Sequence, residues 1–590
     1  MRRGDRIRTL GVLVALGLCA ISFACAKSPP KAAEPPVTEA PDRAGPFPSR
    51  EEVSRLGQSP PAHHVLEVPM RDVDSWRLTG DFPQRIELAS YAPASPWEAL
   101  LAEQTWGREG TLYPSAAMRC VAREYGRFYS VHGVRPTERL LQYMGGACGT
   151  IAQDITPMVL HATAPEGVSD DDLFVHWKDE VARRLASIQG SPRSVGLAFA
   201  RDKDRAVVAV VHGEIRVELR PLVPVPDEGG RVFIEGLLLL PAERIHAMIN
   251  RGRFGFAECA LDPAIPLPRF AIRCEMSETD DLGWIQVSFL PPGRILSRPA
   301  LQVLARVRGA TVDMYQRHLY TASDKAATPA EFTTKLMHGV NGVRKQAKLP
   351  PLALAARQSE IAARLAPRFF AAAMGTGDPL DADRIVLGMI AGWDVEGTVR
   401  DGGFSATMIG ETRDVSRWLS TALEFPGGRQ ALLSPDTVLL AIGPLLIEQN
   451  QLLGAIVGSY SLFGDDHAAD EAAIFDLIAR HRAGLGMSVP TRVDALDAHI
   501  QAAGQKIRSR AATPINTLNE LLQVSARALQ RSVNGFVLDT SRLEDFRLPE
   551  DLLRRRALEV AITVTHYQPP GEPWGRYVIL VVVPAPLPSV

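Results

Sequence analysis

The chain has 590 residues, 65 basic against 67 acidic side chains, and is 46% hydrophobic and 22% charged. That is too long for one hydrophobic core, so two to four domains are expected, and the ordinary composition points to a folded body. A net charge of −2 and 6% aromatic residues exclude the basic field or stacking platform that a nucleic-acid partner would need.

At the N-terminus, Arg2, Arg3, Arg6 and Arg8 precede an uncharged apolar stretch from Leu10 to Ala24. A positive segment followed by an apolar run shorter than a membrane span of about 20 residues predicts a secretion signal over 1–26. Two cleavage routes stand. Ser22-Phe23-Ala24-Cys25 resembles a lipobox, with Ser22 where that pattern prefers Leu, and would leave Cys25 lipidated; Ala24-Cys25-Ala26 also suits ordinary signal peptidase. The lipidated form is favoured and makes the chain an exported lipoprotein anchored in a membrane, facing periplasm or exterior. Residues 27–60, rich in Pro and Ala, read as a linker.

A helical module ending in a hairpin is predicted over 80–213. Ser115 is the expected N-cap of a helix through Tyr129, and helical character is read across 96–187. The run Ser169-Asp170-Asp171-Asp172 caps a further helix, and the hairpin turns at 201–205. From 214 to 310, short apolar runs between Pro and Gly predict a β-sandwich. Helices return over 326–464 and finish in a hairpin of 438–442 with 455–459. The last module, 468–590, repeats that order, with 558–565 paired to 577–583. Helices then a terminal hairpin thus recur three times, each over about 115 to 135 residues, which suggests divergent duplication.

Six cysteines are present, and setting aside Cys19 and Cys25 leaves an even set. Disulfides Cys120 to Cys148 and Cys259 to Cys274 are predicted, as an oxidising compartment permits; four buried thiols are the alternative.

The segment from Phe332 to Phe370 holds Asn341, Arg344 and Leu349-Pro350-Pro351-Leu352 in a helix-turn-helix frame. It resembles the CAP superfamily of cysteine-rich secretory and pathogenesis-related (SCP-like) proteins, whose bacterial members read N-x-x-R-x-x-x-G-L-P-P-L, with Lys348 here in place of Gly. The likeness extends through Gly410-Glu411, where members carry Gly-Glu-Asn, and Pro426-Gly427-Gly428-Arg429, where many carry Ser-Pro-Gly-His-Arg. It covers roughly a quarter of the chain and implies a three-layer α/β/α module. The family cleft is lined by two His and two Glu able to hold a divalent metal. Here Gly428 replaces one His, no His lies between Gly339 and Asp466, and only Glu411 matches a carboxylate, too few donors for a metal.

No nucleophile elbow is present, and Ser459 reads as a strand residue. His212, His318 and His566 are candidate bases that read more simply as structural, and Gly145-Gly146-Ala147-Cys148-Gly149 follows a helix rather than a strand, so it is a helix terminus rather than a phosphate loop. The expectation is an α+β multidomain lipoprotein with no catalytic residues, metal or cofactor, using a degenerate CAP-like domain, Glu411 included, to bind an envelope protein, glycan or lipid. The alternative is an envelope hydrolase acting on peptide or cell-wall polymer, with Glu411 assisted from another module.

Overall fold

The computed structural model describes residues 47–58, 69–80, 82–86, 91–105, 111–164, 167–190, 192–277, 281–294, 296–448, 452–464 and 466–586. The signal, Cys25 and most of the linker lie outside the described residues. From Ala44 to Val590 the chain forms one compact unit.

Within the segment read as linker, Arg50–Leu56 forms a helix (α1). Ser49 and Glu52 make a capping box, and Val53 is buried against Gly388, so the local sequence both starts the helix and docks it. Two short strands follow, Met70–Arg71 (β1) and Ser75–Arg77 (β2).

The N-terminal module comprises Pro96–Thr105 (α2), Leu112–Pro114 (β3), Ala116–His132 (α3), Arg135–Pro136 (β4), Glu138–Ala147 (α4), Gln153–Thr163 (β5), Asp170–Ser187 (α5), Arg193–Asp202 (β6) and Arg205–Glu214 (β7). Ser115 caps α3 through the amide of Met118, and Ser169 with Asp172 forms a capping box on α5. The hairpin turns at Lys203 and Asp204, as the charged run predicts. One correction concerns 153–163, which lies inside the stretch read as helical: Ile155, Thr156, Val159 and Thr163 favour extended backbone, and the segment pairs with β7.

The sandwich follows, built from Val217–Leu219 (β8), Arg231–Leu238 (β9), Arg244–Arg251 (β10), Gly255–Glu258 (β11), Ala260–Leu261 (β12), Arg269–Glu275 (β13), Leu282–Leu290 (β14) and Arg298–Arg306 (β15). Its sheets run β11-β10-β14-β15 and β12-β13-β9-β8 around Ile234, Ile249, Cys274 and Ile285. Met314–Gln316 (β16) leaves it and pairs with β2.

The middle module comprises Pro329–Gln346 (α6), Ala353–Leu354 (β17), Ala356–Ala373 (α7), Pro379–Ala391 (α8), Val399–Ile409 (β18), Val415–Ala422 (α9), Pro426–Leu433 (α10), Leu439–Ile447 (β19) and Leu452–Leu462 (β20). The C-terminal module comprises His467–Gly484 (α11), Thr491–Arg492 (β21), Asp497–Arg508 (α12), Pro514–Leu529 (α13), Val533–Thr540 (β22), Glu550–Leu553 (α14), Glu559–Tyr567 (β23) and Arg576–Pro584 (β24).

The three helix-and-hairpin modules share one topology. Their sheets read β3-β6-β7-β5, β17-β19-β20-β18 and β21-β23-β24-β22. In each, the first strand is parallel to the third, the hairpin is central, and the second strand edges the fourth antiparallel. The layers repeat as well. In the middle module Leu440, Ile442, Leu453, Ala455 and Val457 face α6, α9 and α10, while Ala441, Leu445, Leu452, Ile456 and Tyr460 face α7 and α8. That period of two makes a sheet covered on both faces, a three-layer α/β/α module. Odd and even residues of β24 divide the same way between α11 and the pair α12 and α13. Where α7 crosses the sheet, a Cβ on Gly443 would lie 2.3 Å from the Ala362 carbonyl carbon, so only glycine permits this approach.

Both disulfides are formed. Cys120 to Cys148 joins α3 to the end of α4 with Cα atoms 5.7 Å apart. Cys259 to Cys274, Cα atoms 4.5 Å apart, sits where the chain passes from β11 in one sheet to β12 in the other. Among the described residues, no helix is long and apolar enough to cross a membrane.

Candidate functional site

The residues that carry the CAP resemblance are architectural. Asn341 donates its side-chain amide to the Leu352 carbonyl at 3.0 Å and accepts from the Leu352 amide at 2.8 Å, fastening the Pro-Pro connection to α6. Arg344, fully buried, donates to the carbonyls of Pro350 at 2.7 Å, Leu432 at 3.0 Å, Ser434 at 3.0 Å and Thr437 at 3.4 Å. It collects carbonyls at the end of α10 and in two loops, and burial holds its own pKa below the usual arginine value. Lys348 adopts φ +60, the left-handed conformation that glycine favours at a helix end.

The C-terminal module carries the same device without the motif. Arg482, also fully buried, donates to the Ser488 carbonyl at 2.6 Å and the Leu553 carbonyl at 2.7 Å. Each arginine reaches the carbonyl six residues ahead and then the end of the helix that precedes the hairpin. In the N-terminal module the residue at the matching offset before β3, Glu103, is exposed.

The positions that would form the family cleft are dispersed. Glu411 is exposed, lies in the left-handed region at φ +57, and pairs with Arg71 at 3.2 Å. A Cβ on Gly428 would sit 1.7 Å from the carbonyl oxygen of Ala422, so no histidine fits there. Arg429 turns inward and donates to the carbonyls of Leu423 at 2.8 Å, Gly252 at 2.9 Å and Gly255 at 2.7 Å, the last two on the β10–β11 turn of the sandwich. Among the described residues, no group of three or more His, Cys, Asp or Glu side chains could hold a metal ion.

What lies against the α9–α10 corner is a charged junction that the sequence did not disclose. Arg139 of α4 pairs with Glu424 at 3.2 Å, lies over the Phe425 ring at 3.7 Å and donates to the Thr421 carbonyl. Asn250 of the sandwich donates to the Glu424 carbonyl at 2.5 Å, and Trp284 packs on Phe425 with ring centroids 4.6 Å apart. Below them, fully buried Asp72 bonds to Arg317 and, at 2.8 Å, to Arg417. Burial raises the Asp72 carboxyl against the pull of both guanidinium groups, and burial likewise pushes Glu424 up to about 6. These partners lie far apart in the chain and carry no local spacing signal. The α9–α10 corner is therefore an internal interface.

No family model matches the chain. No curated protein matches it either. Among solved structures it is similar to a cysteine-rich secretory protein from Staphylococcus aureus, at 10% identity and a TM-score of 0.17, covering 42% of this chain and 86% of that one. It is also similar to an extracellular protein containing a SCP domain from Bacillus anthracis, at 11% identity and a TM-score of 0.16, covering 40% and 88%.

The other singled-out residues have structural surroundings. His212 on β7 lies beside Arg193, Nδ1 to Nη1 3.3 Å, and burial lowers its pKa to about 4, so it is neutral at pH 7. His318 is exposed and packs on Tyr320, and His566 stacks on Phe463 with centroids 5.0 Å apart. Ser459 is buried in β20. At the end of α4, a Cβ on Gly146 would lie 2.6 Å from the Trp284 ring, so this glycine seats the helix on the sandwich. A cleft of about 190 Å³ opens in the C-terminal module beside Glu471, Arg492, Asp497 and Gln501. Glu471 is already occupied, its two oxygens 3.0 Å from the Gln501 amide nitrogen.

Proposed function

We propose that this chain is an exported cell-envelope protein, tethered through lipidated Cys25, with a non-catalytic binding or scaffold role. The observation that carries this is the α9–α10 corner. Gly428 has no space for a side chain, Arg429 is spent on sandwich carbonyls, and Glu411 is paired with Arg71 at the surface. A corner covered by two other modules suits holding an assembly together better than turning over a substrate. Export is supported by two disulfides, which persist in oxidising compartments.

Calorimetric titration of the purified protein with zinc, calcium and magnesium tests the non-catalytic half. No saturable heat is expected. Stoichiometric binding of any of the three, mapped between residues 328 and 463 by anomalous scattering, would overturn it and bring forward a hydrolase built on Glu411. Mass measurement of the membrane-extracted protein tests the anchor: a diacylated or triacylated N-terminal cysteine is expected, and an unmodified terminus would refute it.

A further inference from the structure

The C-terminal module differs from the middle one at the loop that its buried arginine holds. In the middle module the corresponding connection tucks Leu349 against the core. In the C-terminal module, residues 485–490 turn the apolar side chains of Leu485 and Val489 outward, 38% and 64% exposed. A Cβ on Gly484 or Gly486 would meet nothing within 4 Å, so neither glycine is packed against a neighbour. The eight residues from Ala483 at the end of α11 to Pro490 carry no charge.

Arginines lie beside it. The Ser488 hydroxyl donates to the Arg556 carbonyl at 3.2 Å, and the Thr491 amide donates to the Leu558 carbonyl at 2.8 Å, so the 485–490 loop and the 554–558 segment run side by side. Arg482 links both, through Ser488 and Leu553, which fixes their relative placement. Of the three consecutive arginines there, Arg554 is paired with Glu550 at 2.7 Å. Neither Arg555 nor Arg556 has a carboxylate within ion-pair distance among the described residues, and Arg556 is exposed.

We propose that this loop and the adjacent Arg555 and Arg556 form a docking surface for an anionic lipid bilayer. The chemistry is that of an interfacial contact: apolar side chains enter the boundary between headgroups and acyl chains while arginines sit at phosphate level. Exposed apolar side chains on an uncharged loop with cationic side chains beside it match a bilayer surface, which offers acyl chains and phosphates together. Two unpaired arginines select for negative charge. The surface takes its location from the envelope assignment above, but purified protein and vesicles test it without any lipid on Cys25.

The compact unit from Ala44 onward is mixed with vesicles of about one-third phosphatidylglycerol in phosphatidylcholine, and with phosphatidylcholine alone, and sedimented. Binding to the anionic vesicles is expected, weakening as salt rises. Arg555→Gln with Arg556→Gln should lower partitioning about fivefold per charge, roughly thirtyfold together. Leu485→Ser with Val489→Ser should lower it by a further route, at unchanged melting temperature, because both are exposed loop side chains. Equal binding to both vesicle types, or full binding by both double variants, refutes the proposal. So does loss of self-association in the variants without loss of lipid binding, which would make the patch a contact between copies. The same assay leaves the metal titration untouched, so the two proposals fail independently.

Discussion

Arg344 offers a measurable test of how the middle module is held. Arg344→Met keeps the aliphatic stem and volume while removing donors to four carbonyls, two of which, those of Leu432 and Thr437, receive fully buried bonds. An unsatisfied buried acceptor costs about 1–3 kcal/mol and a partly exposed one less, and the Ser434 carbonyl keeps the Thr437 amide, so the loss sums to about 4–5 kcal/mol. Against this stands relief of the buried guanidinium, which has no carboxylate partner among the described residues and whose pKa is lowered by burial alone. The net expectation is about 3 kcal/mol of destabilisation, most of it in the middle module. Native-state hydrogen exchange with peptides from β19 and β20 reads that module directly, and the increase in opening should be about a hundredfold or more. Arg482→Met should do the same to β23 and β24 and leave β19 and β20 protected. A loss under about 1 kcal/mol, or one spread evenly over the three modules, would show that these arginines do not clamp their own modules.

Four further outcomes are expected. Gly428→His should destabilise by about 3 kcal/mol or more, because its Cβ would overlap the Ala422 carbonyl, and zinc should not rescue it in a melting experiment with added metal. Lys348→Gly should raise stability by about 0.5–1 kcal/mol in urea unfolding by relieving a left-handed backbone at φ +60. Cys120→Ser with Cys148→Ser should cost about 3–4 kcal/mol, and a melting point unchanged by the pair or by reductant would contradict the bond. Glu424 has a folded-state pKa of about 6, raised by burial, so its stabilising contribution is full below the ordinary glutamate range and falls as pH rises through 6. Relative to Glu424→Gln, the parent should therefore lose about 1.5 kcal/mol between pH 4.5 and 6.5, and a flat difference across that window would refute the assignment.

Much of the architecture was legible from apolar runs. The hairpins were readable because their strands are central and covered on both faces, as the unbroken burial of 452–461 shows. The sandwich was readable from its punctuation. What went unread is the same element three times over. β5, β18 and β22 are edge strands of intermediate exposure, with Gly402 and Gly403 inside β18 and Asp539 in β22, so none presents an apolar run or a clean alternation. Their identity is fixed by pairing with a hairpin that comes tens of residues later. The candidate site divides in a similar way. The absence of imidazoles was visible in the sequence, whereas the junction of Asp72, Arg139, Arg317, Arg417 and Glu424 pairs residues up to 345 positions apart. No local pattern encodes such a meeting.

The shared strand order also bears on how the protein is made. In every module the two middle strands are the last to leave the ribosome, and the strands on either side have nothing to pair with until they arrive. A polypeptide threaded N-terminus first through a translocation pore would thus keep each module open until its final twenty or so residues emerged. Late closure of that kind would suit the export proposed above, because no module could close before its hairpin arrived.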